Sequence, residues 1–146
     1  TVGAAGEVLV GVASADPKWL AAGTAGYVLT ANGAADPTWS ATAPTILTLN
    51  AQTDSYTLVL SDAGKMVTMN KASANNLTVP PASSEAFSVG TQILIMQLGA
   101  GKTTIVAGSG VTLRSADSLL NLRVQYSVAG LTKIASDTWV VVGDLS

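Results

Sequence analysis

Gly26-Tyr27-Val28-Leu29 leads to Asp36-Pro37-Thr38-Trp39, and Gly6-Glu7-Val8-Leu9 leads to Asp16-Pro17-Lys18-Trp19. The Gly, Val, Leu, Asp, Pro and Trp of the two phrases, with Ala15 and Ala35, recur at one offset, twenty residues from Gly6 to Gly26. Two of the three tryptophans of the chain fall on this offset, which makes it a repeat and not a coincidence. A repeated unit of this size rarely buries its apolar face alone and relies on neighbours. Glu7-Val8-Leu9-Val10 and Tyr27-Val28-Leu29-Thr30 read as short strands. Asn32-Gly33 is a turn signal, because both residues tolerate positive φ. Asp-Pro fixes φ at the proline and pushes the preceding Asp toward extended backbone. Residues 1–44 therefore read as an extended, Gly-rich stalk or arm. Val8, Leu9, Pro17, Trp19, Val28, Leu29, Pro37 and Trp39 are its expected assembly interface, packed on the same repeat in neighbouring copies.

The texture changes near Ala43-Pro44. Residues 45–146 are rich in Val, Leu, Thr and Ser, with turn signals every 8–12 residues or so, the pattern of an all-β sandwich. Expected strands include Ile46-Leu47-Thr48-Leu49, Tyr56-Thr57-Leu58-Val59-Leu60 and an alternating Leu120, Leu122, Val124, Tyr126 face. Residues 92–98 form the most apolar strand and are expected at the centre. Gly99-Ala100-Gly101-Lys102 reads as a hairpin into Thr103-Thr104-Ile105-Val106. The expected fold class is all-β: an extended repeat stalk, then a jelly-roll-like β-sandwich.

Composition narrows the function. Charged residues are 11% of the chain, against about 25% in ordinary soluble domains. No apolar run reaches the ~18 residues of a spanning helix. The net charge is −2 and the basic residues are scattered, so no positive stripe for nucleic acid or anionic lipid exists. There is no cysteine and no histidine. That removes disulfides, the usual zinc ligands and the Ser-His and Cys-His nucleophile pairs. Only carboxylates remain, and most of the nine sit beside Gly, Ser, Ala or Pro in expected turns, where Asp serves its own local hydrogen bonds. Gly99-Ala100-Gly101-Lys102-Thr103 imitates a phosphate loop, but the first glycine of that motif is replaced by Met96 and a strand follows instead of a helix. Asn76-Leu77-Thr78 matches a short glycosylation pattern that is common by chance. Trp139 belongs in the core. No enzyme activity, cofactor or metal is expected.

Gly23-Thr24-Ala25-Gly26-Tyr27-Val28-Leu29-Thr30-Ala31-Asn32-Gly33, followed by Pro37-Thr38-Trp39, resembles a repeated phrase of bacteriophage tail-fibre and related virion proteins. The earlier copy lacks the Asn-Gly turn. Tyr56-Thr57-Leu58, Asp62-Ala63-Gly64-Lys65, Leu77-Thr78-Val79-Pro80-Pro81, Val89-Gly90-Thr91, Gly101-Lys102-Thr103-Thr104 and the 139–145 segment resemble C-terminal domains of such proteins. The resemblance implies a homotrimeric virion component, a stalk leading to a β-rich distal knob that contacts a host surface glycan or protein and other virion proteins. It carries no catalytic residue. Receptor contacts are expected in loops, at residues 71–76 or 115–118. The alternative reading is a capsid decoration or cement protein, with the repeat as an arm across capsid subunits. A glycan depolymerase would need converging carboxylates and a longer, repetitive β-helix.

Overall fold

In the computed structural model, residues 6–12, 15–32, 35–41 and 46–146 are described. The chain is mostly β, and its contacts divide it into two units, Thr1–Thr45 and Ile46–Ser146. The expected boundary at Ala43-Pro44 and Gly33 of the expected turn lie outside the described residues, as does the side chain of Pro17.

The first unit holds two antiparallel pairs. Strand β1 (Val8–Val12) pairs with β2 (Ala15–Leu20), and β3 (Tyr27–Asn32) pairs with β4 (Ala35–Ala41). Leu9 faces Trp19 across the first pair and Leu29 faces Trp39 across the second, so both share a register. Both also slip at the same place. Val10 pairs Lys18 but Val12 pairs Ala15, and Thr30 pairs Thr38 but Asn32 pairs Ala35. The extra residue on the second strand falls at Asp16-Pro17 and Asp36-Pro37. Proline has no N–H to give the ladder, and a bulge is where a strand tolerates it. Lys18 and Asp36 form an ion pair between β2 and β4.

The second unit winds. Strands β5 (Leu49–Gln52), β7 (Met66–Met69) and β9 (Gln92–Gln97) lie parallel in one sheet. Strands β6 (Tyr56–Thr57), β8 (Asn75–Val79) and β10 (Thr103–Ala107) lie parallel in another. The chain alternates between the sheets, so each turn of the coil adds one strand to both. Successive turns stack in register: Asn50 on Val67 on Ile95, and Tyr56 on Leu77 on Ile105. Strands β11 (Thr112–Arg114), β12 (Val128–Ala135) and β13 (Thr138–Gly143) then complete a six-stranded sheet in the order β11-β13-β12-β9-β7-β5. Of these, β12 runs antiparallel to both its neighbours and β11 runs parallel to β13.

This is not the jelly-roll order expected above, which pairs strands antiparallel. Parallel neighbours need a crossover, and here the crossover is the strand of the opposite sheet with its two corners. Gly99-Ala100-Gly101-Lys102 is accordingly a corner between sheets and not a hairpin within one. Ile46, Leu47 and Thr48 lie outside any strand. The expected strand at residues 56–60 stops after Thr57, and Leu60–Asp62 form a 3-10 turn. The expected strand through Tyr126 ends early: Asn121 and Leu122 make isolated bridges, and residues beyond them turn.

Both sheets contribute to one core. Val67, Ile95, Leu131 and Val141 come from the six-stranded sheet, and Leu77, Val79 and Ile105 from the other. Burying each such side chain fully stabilises the fold by about 1.5–3 kcal/mol. Trp139 is buried, and the Phe87 ring meets it edge-on at 5.4 Å. The Lys133 amine is buried beside the same indole and donates to the Phe87 carbonyl at 2.8 Å.

Candidate functional site

The corners leading from the larger sheet to the smaller stack on one another. Gly99 N donates to Met69 O and Gly101 N to Lys71 O, both at 2.9 Å. Asn76 N donates to the Ser55 hydroxyl at 3.1 Å. The approach leaves no room for side chains: a Cβ on Gly99 would stand 2.2 Å from Lys71 O, and one on Gly101 2.0 Å from Ser73 O. The Gly99 and Gly101 amides are thus spent on neighbouring carbonyls, and β10 follows, so this loop makes no phosphate cradle. The expected 71–76 contact loop is the middle corner of this stack. Only residues 71–74 of it are loop; Asn75 and Asn76 belong to β8, and Asn75 is buried, accepting from the Thr103 hydroxyl at 2.9 Å. Lys71 pairs with Asp54. Its ammonium, with help from the Ser55 N–H, holds the Asp54 carboxyl below the usual aspartate value.

A further corner, Val124–Ser127, lies beside the stack. Ser127 N closes it on Val124 O at 3.0 Å, and Tyr126 N donates to Gln97 O at 2.6 Å. Gln125 Nε2 donates to Leu98 O at 2.9 Å. Tyr126 occupies the third turn position with φ 69°, where glycine or asparagine is the usual occupant. The turn is braced from behind. Arg123 binds Asp144 through both carboxylate oxygens, at 2.6 and 2.9 Å, and the Ser127 hydroxyl donates to the same carboxylate at 2.7 Å. Arg123 first, and Ser127 second, hold the Asp144 carboxyl below its ordinary range, while Asp144 raises the guanidinium. Tyr126 is 62% exposed and Val124 is also exposed, whereas Leu122 is fully buried. The alternating face expected at residues 120–126 is therefore real only as far as Leu122.

The expected 115–118 loop contains a second 3-10 turn, Ala116–Ser118, with Asp117 and Ser118 at φ 53° and 58°. The Ser115 hydroxyl is buried there without a hydrogen-bond partner among the described residues.

Two further carboxylates serve the 3-10 turn at Leu60–Asp62. Buried Asp62 accepts from Val59 N at 2.9 Å, from Asn50 Nδ2 at 2.7 Å and from the Tyr56 hydroxyl at 3.1 Å. Burial pushes the Tyr56 phenol up. Glu85 accepts from Leu60 N at 2.7 Å. Both acids hold the 3-10 turn between them. Among the described residues no group of three acids could hold a metal ion, and no helix is long and apolar enough to cross a membrane.

Two surfaces remain uncovered and apolar. In the first unit Leu9, Trp19, Val28 and Leu29 are exposed, with Tyr27 beside them, while Val8, Pro37 and Trp39 are half-buried. In the second, side chains opposite the core form cross-strand rows on the larger sheet. One row is Leu49, Met66, Leu94, Gly130 and Val142; the next is Ala51, Thr68, Met96 and Val128. Neither row carries a charge, although Thr68 is itself buried; the third row of this face, Gln92, Thr132, Val140 and Arg114, ends on a cation. A recess of about 170 Å³ lies at their end, lined by Leu47, Gly64, Lys65, Gln92 and Leu94.

The chain matches no protein-family profile, no curated protein and no solved structure.

Proposed function

We propose that this chain is a structural protein of a bacteriophage virion, the distal part of a tail or side fibre that attaches the particle to a host surface glycan or protein. In this reading residues 1–44 are a stalk, and the two-sheet unit is a sandwich-like knob carried on a homotrimer. The observation that carries it is the pair of uncharged cross-strand rows on the outer face of the six-stranded sheet, together with exposed Leu9, Trp19, Val28 and Leu29. Contiguous apolar surface of this kind marks a surface that a partner covers. Copies of one chain that meet along these two neutral rows bury no unpaired charge from them. A trimer also multiplies weak surface contacts into useful avidity.

The test is native mass by sedimentation, followed by binding of the fluorescently labelled full chain to a panel of bacterial strains. A trimer that decorates particular strains is the expected result. A chain that stays monomeric at high concentration and becomes ordered only on phage heads would replace the fibre with the cement reading.

A further inference from the structure

We propose that Tyr126 is a binding platform for a neutral pyranose of a surface glycan, an assignment that rests on the attachment reading above. The observations are four. Tyr126 is a bulky residue at φ 69°, a conformation that costs roughly 1–3 kcal/mol and persists only where surroundings impose it. The surroundings do impose it: Ser127 N closes the turn, Gln97 O holds the Tyr126 amide, and the Arg123–Asp144–Ser127 brace fixes the turn from behind. The side chain is nonetheless 62% exposed. A glycine would form this turn with less strain, so the turn geometry does not itself call for a tyrosine.

The chemistry around the ring selects the ligand. Arg123 and Asp144 neutralise each other, as do Lys71 and Asp54 on the neighbouring corner. Exposed Val124 adds apolar surface. The Gln125 amide is pinned by its nitrogen on Leu98 O, which leaves its oxygen as a fixed acceptor. An exposed aromatic ring on a fixed turn, next in sequence to a held amide, suits a ligand with one C–H face and a rim of hydroxyls, which is a pyranose. Strand addition by a peptide needs an unpaired edge, and the Tyr126 amide is already paired to Gln97.

Saturation-transfer NMR on the full chain tests this, with the methyl pyranosides of glucose, galactose, mannose and N-acetylglucosamine as probes. At least one should receive saturation at its ring C–H protons. Tyr126→Ala should weaken that binding about tenfold, and Tyr126→Phe should keep it within about twofold, since the ring and not the hydroxyl makes the contact. Tyr126→Gly should weaken binding at least as much while leaving the melting temperature equal or higher, which separates loss of the platform from loss of the fold. Undiminished binding in both the Ala and Gly variants, or no binding of any pyranoside, overturns the assignment. Strain binding that survives Tyr126→Ala removes this site and leaves the attachment reading standing. Strain binding that needs Tyr126 but disappears when cells are treated with protease makes the ligand a protein and overturns the glycan assignment. Wild-type chain that binds no strain at all and is monomeric fails the attachment reading itself.

Discussion

The indole of Trp39 lies against Gly23, and a Cβ placed on that glycine would stand 2.4 Å from the ring. The same indole donates its N–H to Ala21 O at 2.8 Å. A β4 side chain thus closes over the segment that follows β2, joining one hairpin to the next. Gly23→Ala should expel the ring, lose the hydrogen bond and destabilise the repeat unit by about 1–3 kcal/mol, the range for overpacking. Tryptophan emission should shift to the red in that variant, because an indole that leaves its seat meets water. An unchanged spectrum would show that Trp39 is not seated on Gly23.

The corner glycines of the second unit are under a harder constraint, since what they touch is backbone. A methyl on Gly101 would meet Ser73 O at 2.0 Å, and a carbonyl in a stacked corner cannot step aside as a side chain can. Gly101→Ala is expected to cost at least about 2 kcal/mol, lowering the melting temperature of a hundred-residue unit by roughly 8–16 °C. At Gly110 nothing lies within 4 Å of an added Cβ, and only its φ of 80° resists substitution. Gly110→Ala should therefore cost about 1 kcal/mol. Thermal melts of the two variants check the ordering; equal costs would contradict the stacking.

These corners also mark what sequence can and cannot tell. Gly99 and Gly101 announce a turn, but a glycine does not say whether the next strand joins the same sheet or the opposite one. Residues 92–97 and 138–143 are legible as strands because β-branched and apolar residues dominate them. Their partners are not legible, since pairing is non-local: nothing in Leu49-Asn50-Ala51-Gln52 says that it lies parallel to Met66–Met69. The Trp19/Trp39 repeat is a local signal, and it announces the shared hairpin register directly. Tyr126 gave no signal at all. It continues an apolar alternation through Leu120, Leu122 and Val124, and a strained φ on a tyrosine leaves no mark in composition.

Acid should loosen the second unit through Asp144. Arg123 and Ser127 hold this carboxyl below its unfolded value, so the folded chain binds fewer protons than the unfolded chain between the two values. Its contribution is fully present above about pH 4, the ordinary aspartate range, and is lost as pH falls through the lowered folded value. The pair is exposed, so the effect is small and weakens with salt. Asp144→Asn should flatten the dependence of melting temperature on pH below about 4 while leaving the neutral-pH core intact. A wild-type and a variant that lose stability in parallel on acidification would place the acid sensitivity elsewhere, with Asp54 the next candidate by the same reasoning.

Self-association should fail when the outer face of the larger sheet is charged. Leu94 and Val142 share one cross-strand row with Gly130 between them, and both point away from the core, as their buried neighbours Ile95 and Val141 point into it. A lysine at Leu94 or a glutamate at Val142 is harmless on a wet surface, because its head group stays hydrated. In an interface between copies the same charge is desolvated against an apolar partner and repels its own symmetry mates, which costs several kcal/mol. Leu94→Lys and Val142→Glu should each shift sedimentation toward monomer by a factor of ten or more in association constant, with circular dichroism and melting profile of the separated chain preserved. Mixing the two variants should partly restore association, since opposite charges then face each other. Oligomers that form undisturbed in both variants would move the contact off this sheet face and onto the hairpins, where Trp19 and Leu29 are the residues to charge next.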